Sequence, residues 1–133
     1  NAAHTSDIMG EEYKKEGKLT AGSGSVGYVI ECKDGPSIYY GGDTGVFGDM
    51  AIIRDLYSPD VAVLPVGGKY NMGFREAGYA ASLIHPKIFI PIHYDTFPNQ
   101  KLNLTKLVEE IKFRAPHVTV VRWKPGETYE YKS

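Results

Sequence analysis

Short apolar runs that alternate with amphipathic segments are the feature that most constrains the fold of this chain. Three runs rich in β-branched and aromatic residues predict buried strands at Ser37–Tyr40, Asp60–Val66 and Ile88–Ile92. Other segments repeat apolar residues at helical spacing, which predicts helices at Phe47–Leu56, Phe74–Ile84 and Leu104–Phe113. Strands that alternate with helices are typical of α/β proteins, whose parallel strands are joined by helical crossovers. We therefore predict an α/β fold.

Further strands are predicted at both ends of this alternation. Val26–Cys32 and Ser37–Tyr40 flank Lys33-Asp34-Gly35-Pro36, a sequence typical of a turn, so the two runs are expected to form an antiparallel hairpin. Two short strands are predicted near the C-terminus, at Val118–Val121 and Thr128–Tyr131. The sheet is therefore expected to be mixed, with helices flanking it.

Composition excludes several classes of function. The 133 residues suffice for one domain with a modest core, and the net charge of −1 argues against a nucleic-acid partner. No apolar stretch reaches the ~20 residues of a membrane span. The single cysteine, Cys32, excludes an internal disulfide and is typical of a reducing compartment, so we expect a cytoplasmic protein. Because Cys32 ends a predicted strand, we interpret it as a buried or half-buried structural thiol.

Two of the predicted strands each end at one residue able to bind a metal ion. Asp43 follows Ser37–Tyr40 after two glycines, and His93 follows Ile88–Ile92 directly. The carboxyl ends of strands in open α/β sheets are where ligand sites form. Asp43 is equally explained as a cap of a turn or of the following helix, and His93 taken alone as a hydrogen-bonded core histidine. A third candidate, His4, taken alone is typical of a solvated loop.

The other histidines and one glycine-rich segment have ordinary structural explanations. His85 lies at a predicted helix end and His117 in a surface turn, so we assign both structural positions. Gly67–Gly73 follows the central strand and is interpreted either as a loop beside a site or as a plain connection to the next helix.

Taken together, these segments resemble the C-terminal half of a metallo-β-lactamase-fold hydrolase. The similarity is strongest to metal-dependent hydrolases related to the ascorbate-6-phosphate lactonases and the N-acylphosphatidylethanolamine phospholipase D enzymes. It covers nearly the whole chain, and each piece alone is weak evidence. The pieces that carry it, in order, are His4-Thr5-Ser6, Gly24–Ile30, Tyr39–Gly45, Leu64–Gly68, Met72-Gly73 and Pro91–Pro98.

The resemblance implies a site with two divalent metal ions at one edge of an αββα sandwich. These ions are commonly zinc and sometimes manganese, nickel or iron. It implies that His4 binds the first ion, that Asp43 bridges both ions and that His93 binds the second, with Asp43 and His93 acting in catalysis. A metal-held hydroxide would attack an ester, lactone, amide or phosphodiester of a small-molecule substrate. Gly67, Gly68 and Met72 would form a loop near the substrate.

The chain departs from that family in lacking the His-x-His-x-Asp-His motif and the N-terminal sheet. Three ligands are fewer than two metal ions need, and one apolar face of the sheet would be left uncovered. We therefore interpret residues 1–133 as the C-terminal half of the domain. It would be completed by an N-terminal half on the same parent chain or on a separate subunit, or by self-association. The start at Asn1 without methionine favours a fragment, and the isolated chain is expected to be inactive.

An alternative hypothesis from another class stays open. A non-catalytic assembly module would keep the fold and bind a partner through the uncovered sheet face. A neighbouring chain that carries the His-x-His-x-Asp-His motif would favour the enzyme, and the lack of one would favour the module.

Overall fold

The computed structural model of the protein describes residues 24–98 and 100–132. In chain order they form β1 (Tyr28–Glu31), β2 (Ser37–Tyr40), α1 (Met50–Tyr57), β3 (Val61–Pro65), α2 (Phe74–Ile84), β4 (Ile88–Ile92), α3 (Leu104–Arg114) and β5 (Thr119–Val120). The predicted α/β class is confirmed. His4 lies outside the described residues, so its role as a ligand stays a prediction.

The strands form one mixed sheet in the order β1-β2-β3-β4-β5. β1 and β2 are antiparallel, with Ile30 opposite Ile38, which confirms the predicted hairpin. β2 to β5 are parallel, and each parallel connection contains one helix. The carboxyl ends of these four strands consequently lie along one side of the sheet. We call this side the carboxyl edge; its loops begin at Gly41, Val66, His93 and Val121.

The three helices pack against one face of the sheet. Leu64 and Phe89 from the central strands are fully buried there with Met50, Ile84 and Ile111, one residue from each helix. Burial of about 25 cal/mol for each Å² of apolar surface makes this core the main source of stability. It therefore holds β3 and β4, and the loops that follow them, in place. Within the described part of the chain, no helix is both long and apolar enough to cross a membrane.

The opposite face of the sheet carries a second apolar cluster, which we call the open face. Its members are Val61, Ile88 and Ile90, with Ile38, Val63, Ile92, Val121 and Tyr131 packed around them. Among the described residues, no helix contributes to this cluster. Towards the hairpin the aromatic and aliphatic side chains are exposed, namely Tyr28, Ile30 and Tyr40. The family resemblance implied an uncovered apolar face, and within the described residues this face is partly exposed.

Two local predictions are wrong. Residues 128–131 form no strand; instead Tyr131 packs on the open face, with its hydroxyl 3.4 Å from Lys87 Nζ. After the turn in which the Glu127 N–H donates to the Lys124 carbonyl, the apolar packing of Tyr131 holds this segment against the open face, without pairing to a strand. Cys32 is exposed and not buried, because it belongs to the hairpin turn and the strand before it, β1, is itself mostly exposed.

His85 and His117 lie together, away from the carboxyl edge. His85 ends α2 in the left-handed conformation (φ 57°), and its ring centroid is 4.4 Å from that of His117. Although His85 is largely exposed, partial desolvation lowers its pKa below the usual value near 6.5, and the charges of His117 and Arg54 lower it further. His85 therefore lies at the end of a helix and His117 in a turn, as the sequence indicated.

The low pKa of His85 predicts a small loss of stability in mild acid. The unfolded chain takes up a proton at His85 near pH 6.5, whereas the folded chain takes it up only at lower pH. The stability that neutral His85 contributes is therefore fully present above about pH 6.5 and is lost as the pH falls below that value. We expect the difference in urea midpoint between pH 7.5 and 5.5 to shrink in His85→Asn, since asparagine tolerates the left-handed conformation. An unchanged difference would contradict the assignment.

Candidate metal centre

Asp43 reaches the carboxyl edge through a sharp turn after β2. The Gly41 N–H still donates to the Val63 carbonyl at 3.0 Å, and Gly42 then adopts φ 65° beside the Val26 carbonyl, where a Cβ would lie 2.7 Å away. Only glycine fits such a position without strain. The next residue after Asp43, Thr44, is fully buried and anchors the turn. Asp43 therefore projects from a fixed backbone, with 60% of its side chain exposed.

Asp43 is not a helix cap. Helix α1 begins at Met50, six residues after Thr44, and its N-cap residue is Asp49, which makes no side-chain capping bond. The helix-capping alternative that the sequence left open therefore has no support in the structure. The carboxylate is therefore not used as a helix cap and lies at the carboxyl edge.

His93 lies at the carboxyl end of β4 in the left-handed conformation, with φ 56°. Its side chain is 40% exposed, so it is not the core histidine that the apolar run before it also allowed. Its Nδ1 lies 2.6 Å from Oδ1 of Asp43, fifty residues earlier in the chain. Two side chains from separate strands therefore meet at one point of the edge.

This contact determines which ring nitrogen of His93 carries the proton when Asp43 is ionised. A carboxylate only accepts hydrogen bonds, so Nδ1–H must be the donor at 2.6 Å. In neutral His93 the other nitrogen, Nε2, then carries the lone pair that binds metals or accepts a proton. A carboxylate that orients an imidazole in this way is a common feature of metal sites.

The strand between these two residues explains how they meet. β3 lies between β2 and β4, so Asp43 and His93 approach one another across the end of β3. Gly67 lies at this point, just after the end of β3, and is buried. A Cβ on Gly67 would overlap the His93 carbonyl oxygen. A side chain at Gly67 would therefore collide with the backbone of His93.

The loop that follows Gly67 is closed by its own hydrogen bonds. The Gly68 N–H donates to the Met72 carbonyl at 3.1 Å, and the Asn71 N–H donates to the Gly68 carbonyl at 2.7 Å. Met72 is 1% exposed and fastens the loop to the core, and Gly68 has φ 81°. Of the three predicted loop residues, Gly67 therefore lies beside His93, and Gly68 and Met72 hold the loop that follows Gly67.

Truncation of Met72 should loosen this loop. We expect Met72→Ala to lower the free energy of unfolding by about 2–5 kcal/mol, as for other buried large-to-small changes. Urea denaturation measures the loss, and Met72→Leu, which nearly conserves volume, should cost less than about 1.5 kcal/mol. Equal stability of Met72→Ala and the parent chain would show that the side chain is not packed as described.

Two residues of the edge were not singled out by any sequence pattern. A cavity of about 710 Å³ beside His93 is also lined by Arg122 and Trp123, from the segment after β5. The Trp123 indole donates to the Glu127 carbonyl at 2.6 Å, and Arg122 Nη2 lies 3.8 Å from Asp95 Oδ2. The available signal was the position of these residues directly after a parallel strand, which places them at the carboxyl edge.

Asp43 and His93 are the candidate metal ligands that lie among the described residues. Imidazole and carboxylate are ligands suited to zinc, manganese, iron and nickel. Within residues 24–98 and 100–132, no group of three or more His, Cys, Asp or Glu side chains is placed to hold a metal ion. Asp43 and His93 are thus brought together, while the third predicted ligand, His4, is outside these ranges.

Comparison with known proteins gives a consistent result. Residues 4–94 match the family described as the Beta-lactamase superfamily domain. A UPF0173 metal-dependent hydrolase of Methanopyrus kandleri is 41% identical over 129 residues, which is 97% of this chain and 54% of that protein. Another, from Methanocaldococcus jannaschii, is 40% identical over 129 residues, covering 97% of this chain and 53% of that protein.

A solved structure has the same architecture. Igni18, described as a novel metallo hydrolase from Ignicoccus hospitalis, is 33% identical with a TM-score of 0.74. The match covers 99% of this chain and 52% of that one. The chain therefore spans about half the length of the relatives that it matches.

Proposed function

This chain belongs to the metallo-β-lactamase superfamily, and from that premise we propose that it supplies the C-terminal half of a dinuclear metal-dependent hydrolase. The observation that carries the proposal is the 2.6 Å contact between Asp43 and His93, made by residues from two strand ends at one edge. Relatives at 41% and 40% identity are named metal-dependent hydrolases. The proposed substrates are esters, lactones, amides or phosphodiesters of small molecules.

The residues present fit a divalent metal. Asp43 and His93 offer an oxygen and a nitrogen donor, both partly exposed at the same edge. The two side chains converge on one point of the edge, with Oδ1 of Asp43 2.6 Å from Nδ1 of His93. His4 is the third proposed ligand, and zinc is the proposed metal, with manganese, nickel and iron as the other candidates.

Each of the named residues has a defined role in this proposal. A bound divalent cation supplies an activated water nucleophile near neutral pH. In the proposed complete site Asp43 would bridge two ions, and these metal contacts would take the place of its hydrogen bond with His93. Because Gly67 has no side chain, the backbone of His93 can pack against it. Gly68 and Met72 close the loop that is proposed to border the substrate, through the hydrogen bond from the Gly68 N–H to the Met72 carbonyl.

The partner proposed for this chain is the complementary N-terminal half of the same fold. The open face is apolar, and the exposed side chains of Tyr28, Ile30 and Tyr40 lie at its hairpin end. An apolar surface of this kind is typical of a contact with another protein layer. Relatives of this chain are about twice as long, so the segment of each relative that this chain does not match is long enough to form a second sheet of similar size.

A complementation experiment tests the proposal. The chain is mixed with the segment of the Methanopyrus kandleri relative that it does not match, and the product is analysed by native mass spectrometry and metal analysis. We expect a one-to-one complex with about two metal ions. We also expect hydrolysis of activated esters or phosphodiesters, which the isolated chain does not catalyse.

Three different results would contradict the proposal. A complex that forms without metal and without hydrolysis would support the assembly module. A homodimer with bound metal and activity would replace the complementary half with a second copy. Enzyme-like turnover by the isolated chain would refute the proposal that it is half of a site.

A further inference from the structure

Two aromatic side chains stand exposed on neighbouring loops of the carboxyl edge. Tyr70, from the loop after β3, and Phe97, from the loop after β4, are each 60% exposed. Together with Pro98 and Gln100 they line a cavity of about 560 Å³. This volume falls within the usual range of small-molecule sites, so the rings border a space large enough for a ligand.

The loop that carries Phe97 is held by its own hydrogen bonds, as is the loop that carries Tyr70. The Asp95 N–H donates to the Gln100 carbonyl at 2.8 Å, and the Gln100 N–H donates to the Phe97 carbonyl at 2.9 Å. The Leu102 N–H donates to Asp95 Oδ1 at 3.1 Å. Rings presented by a fixed backbone bind with little loss of entropy.

The cavity adjoins the candidate metal centre through Gly67. A Cβ at Gly67 would overlap the His93 carbonyl oxygen and would lie 3.4 Å from Cβ of Gln100. His93 and the cavity wall therefore contact the same residue. A molecule that extended from His93 past Gly67 would reach the cavity wall at Gln100.

The chemistry of the cavity selects a flat apolar group. Its described wall consists of two aromatic rings, a proline and one amide side chain, with no carboxylate. Lys69 lies nearby, and its Nζ is 5.3 Å from the centre of the Tyr70 ring, over the face of that ring. Aromatic rings favour offset or edge-to-face contact with another ring.

From this arrangement we propose that Tyr70 and Phe97 form a subsite for an aryl group of the substrate. The inference rests on the proposed hydrolase function and narrows it to esters, lactones or amides that carry an aromatic substituent. Tyr70 and Phe97 bind that substituent, while the bond next to it lies beside Asp43 and His93. A wholly polar substrate would leave both rings in water.

A binding experiment tests this subsite without requiring catalysis. N-methylbenzamide and N-methylacetamide, two stable amides, are titrated into the isotope-labelled chain in the presence of EDTA, and amide chemical shifts are followed. We expect the aryl amide to bind at least about tenfold more tightly, with shifts centred on Tyr70 and Phe97. Tyr70→Ala and Phe97→Ala should each weaken its binding at least about threefold.

Matched controls use exposed aromatic residues outside the cavity. Tyr57→Ala in α1 and Phe113→Ala in α3 should leave the affinity unchanged. Equal affinity for the two amides, or no loss in either cavity variant, would overturn the subsite. So would a dimer in sedimentation that Tyr70→Ala dissociates, since the rings would then serve contact between copies. If the aryl amide binds as expected but the complemented enzyme is inactive, the proposed function fails and the subsite stands.

Discussion

Replacement of His93 by alanine is expected to abolish metal-dependent hydrolysis by the complemented protein. His93 is one of two donors that the described chain brings together at the carboxyl edge, and Asp43 would lose the imidazole that it orients. Loss of residues that merely support metal ligands costs 10–100-fold in affinity or activity, so loss of a ligand should cost at least about 100-fold. Zinc titration by calorimetry and ester hydrolysis measure the two effects.

The control for this change is a histidine away from the site. His117 precedes β5, at the opposite end of that strand, and is exposed. His117→Ala should keep metal content and activity near those of the parent protein. Asp43→Asn should lose metal as His93→Ala does, while the fold, measured by circular dichroism, stays intact in both. Full metal content in His93→Ala would refute the assignment of His93 as a ligand.

Substitution of Gly67 by alanine is expected to have the second-largest effect. The added methyl group would overlap the His93 carbonyl oxygen, so the end of β3 or of β4 must move. Overpacking of this kind costs about 1–3 kcal/mol of stability. Because His93 itself would shift, its bond to Asp43 should weaken and zinc affinity should fall at least about tenfold. The ring-nitrogen chemical shifts of His93 report the change of tautomer directly.

Gly45 provides the matched control for Gly67. It also lies at the carboxyl edge, two residues after Asp43, but a Cβ there has nothing within 4 Å. Gly45→Ala should therefore leave the His93 signals, the stability and the zinc affinity unchanged. If both variants behave alike, contact between Gly67 and the His93 backbone does not position the imidazole.

Sequence patterns predicted the central elements closely. Ser37–Tyr40, Phe74–Ile84 and Ile88–Ile92 have the predicted bounds, because apolar periodicity and a proline soon after a helix are local signals. Helix α1 begins at Met50 and not at Phe47, since residues before it form a turn in which the Met50 N–H donates to the Phe47 carbonyl. That turn contains apolar residues at helical spacing, so the pattern did not distinguish it from the helix.

The candidate site was predictable only in part. Asp43 and His93 each follow an apolar run, which made them candidates, and the resemblance to the metallo-β-lactamase fold selected them over a capping and a core role. Other residues of the edge lie in polar or mixed loops, where no periodicity exists to single them out; these are Arg122, Trp123 and Phe97. Their relevance depends on which loops share an edge, and this follows from strand order.

The sequence by itself determined most of the elements of this protein, its hairpin, and the two candidate metal ligands at strand ends, because each depends on residues near one another in the chain. The tertiary structure alone decided that Asp43 and His93 meet across the end of β3, since strand order and register place their atoms 2.6 Å apart. The tertiary structure also explains the glycine at position 67, because the backbone of His93 leaves no space for a side chain there.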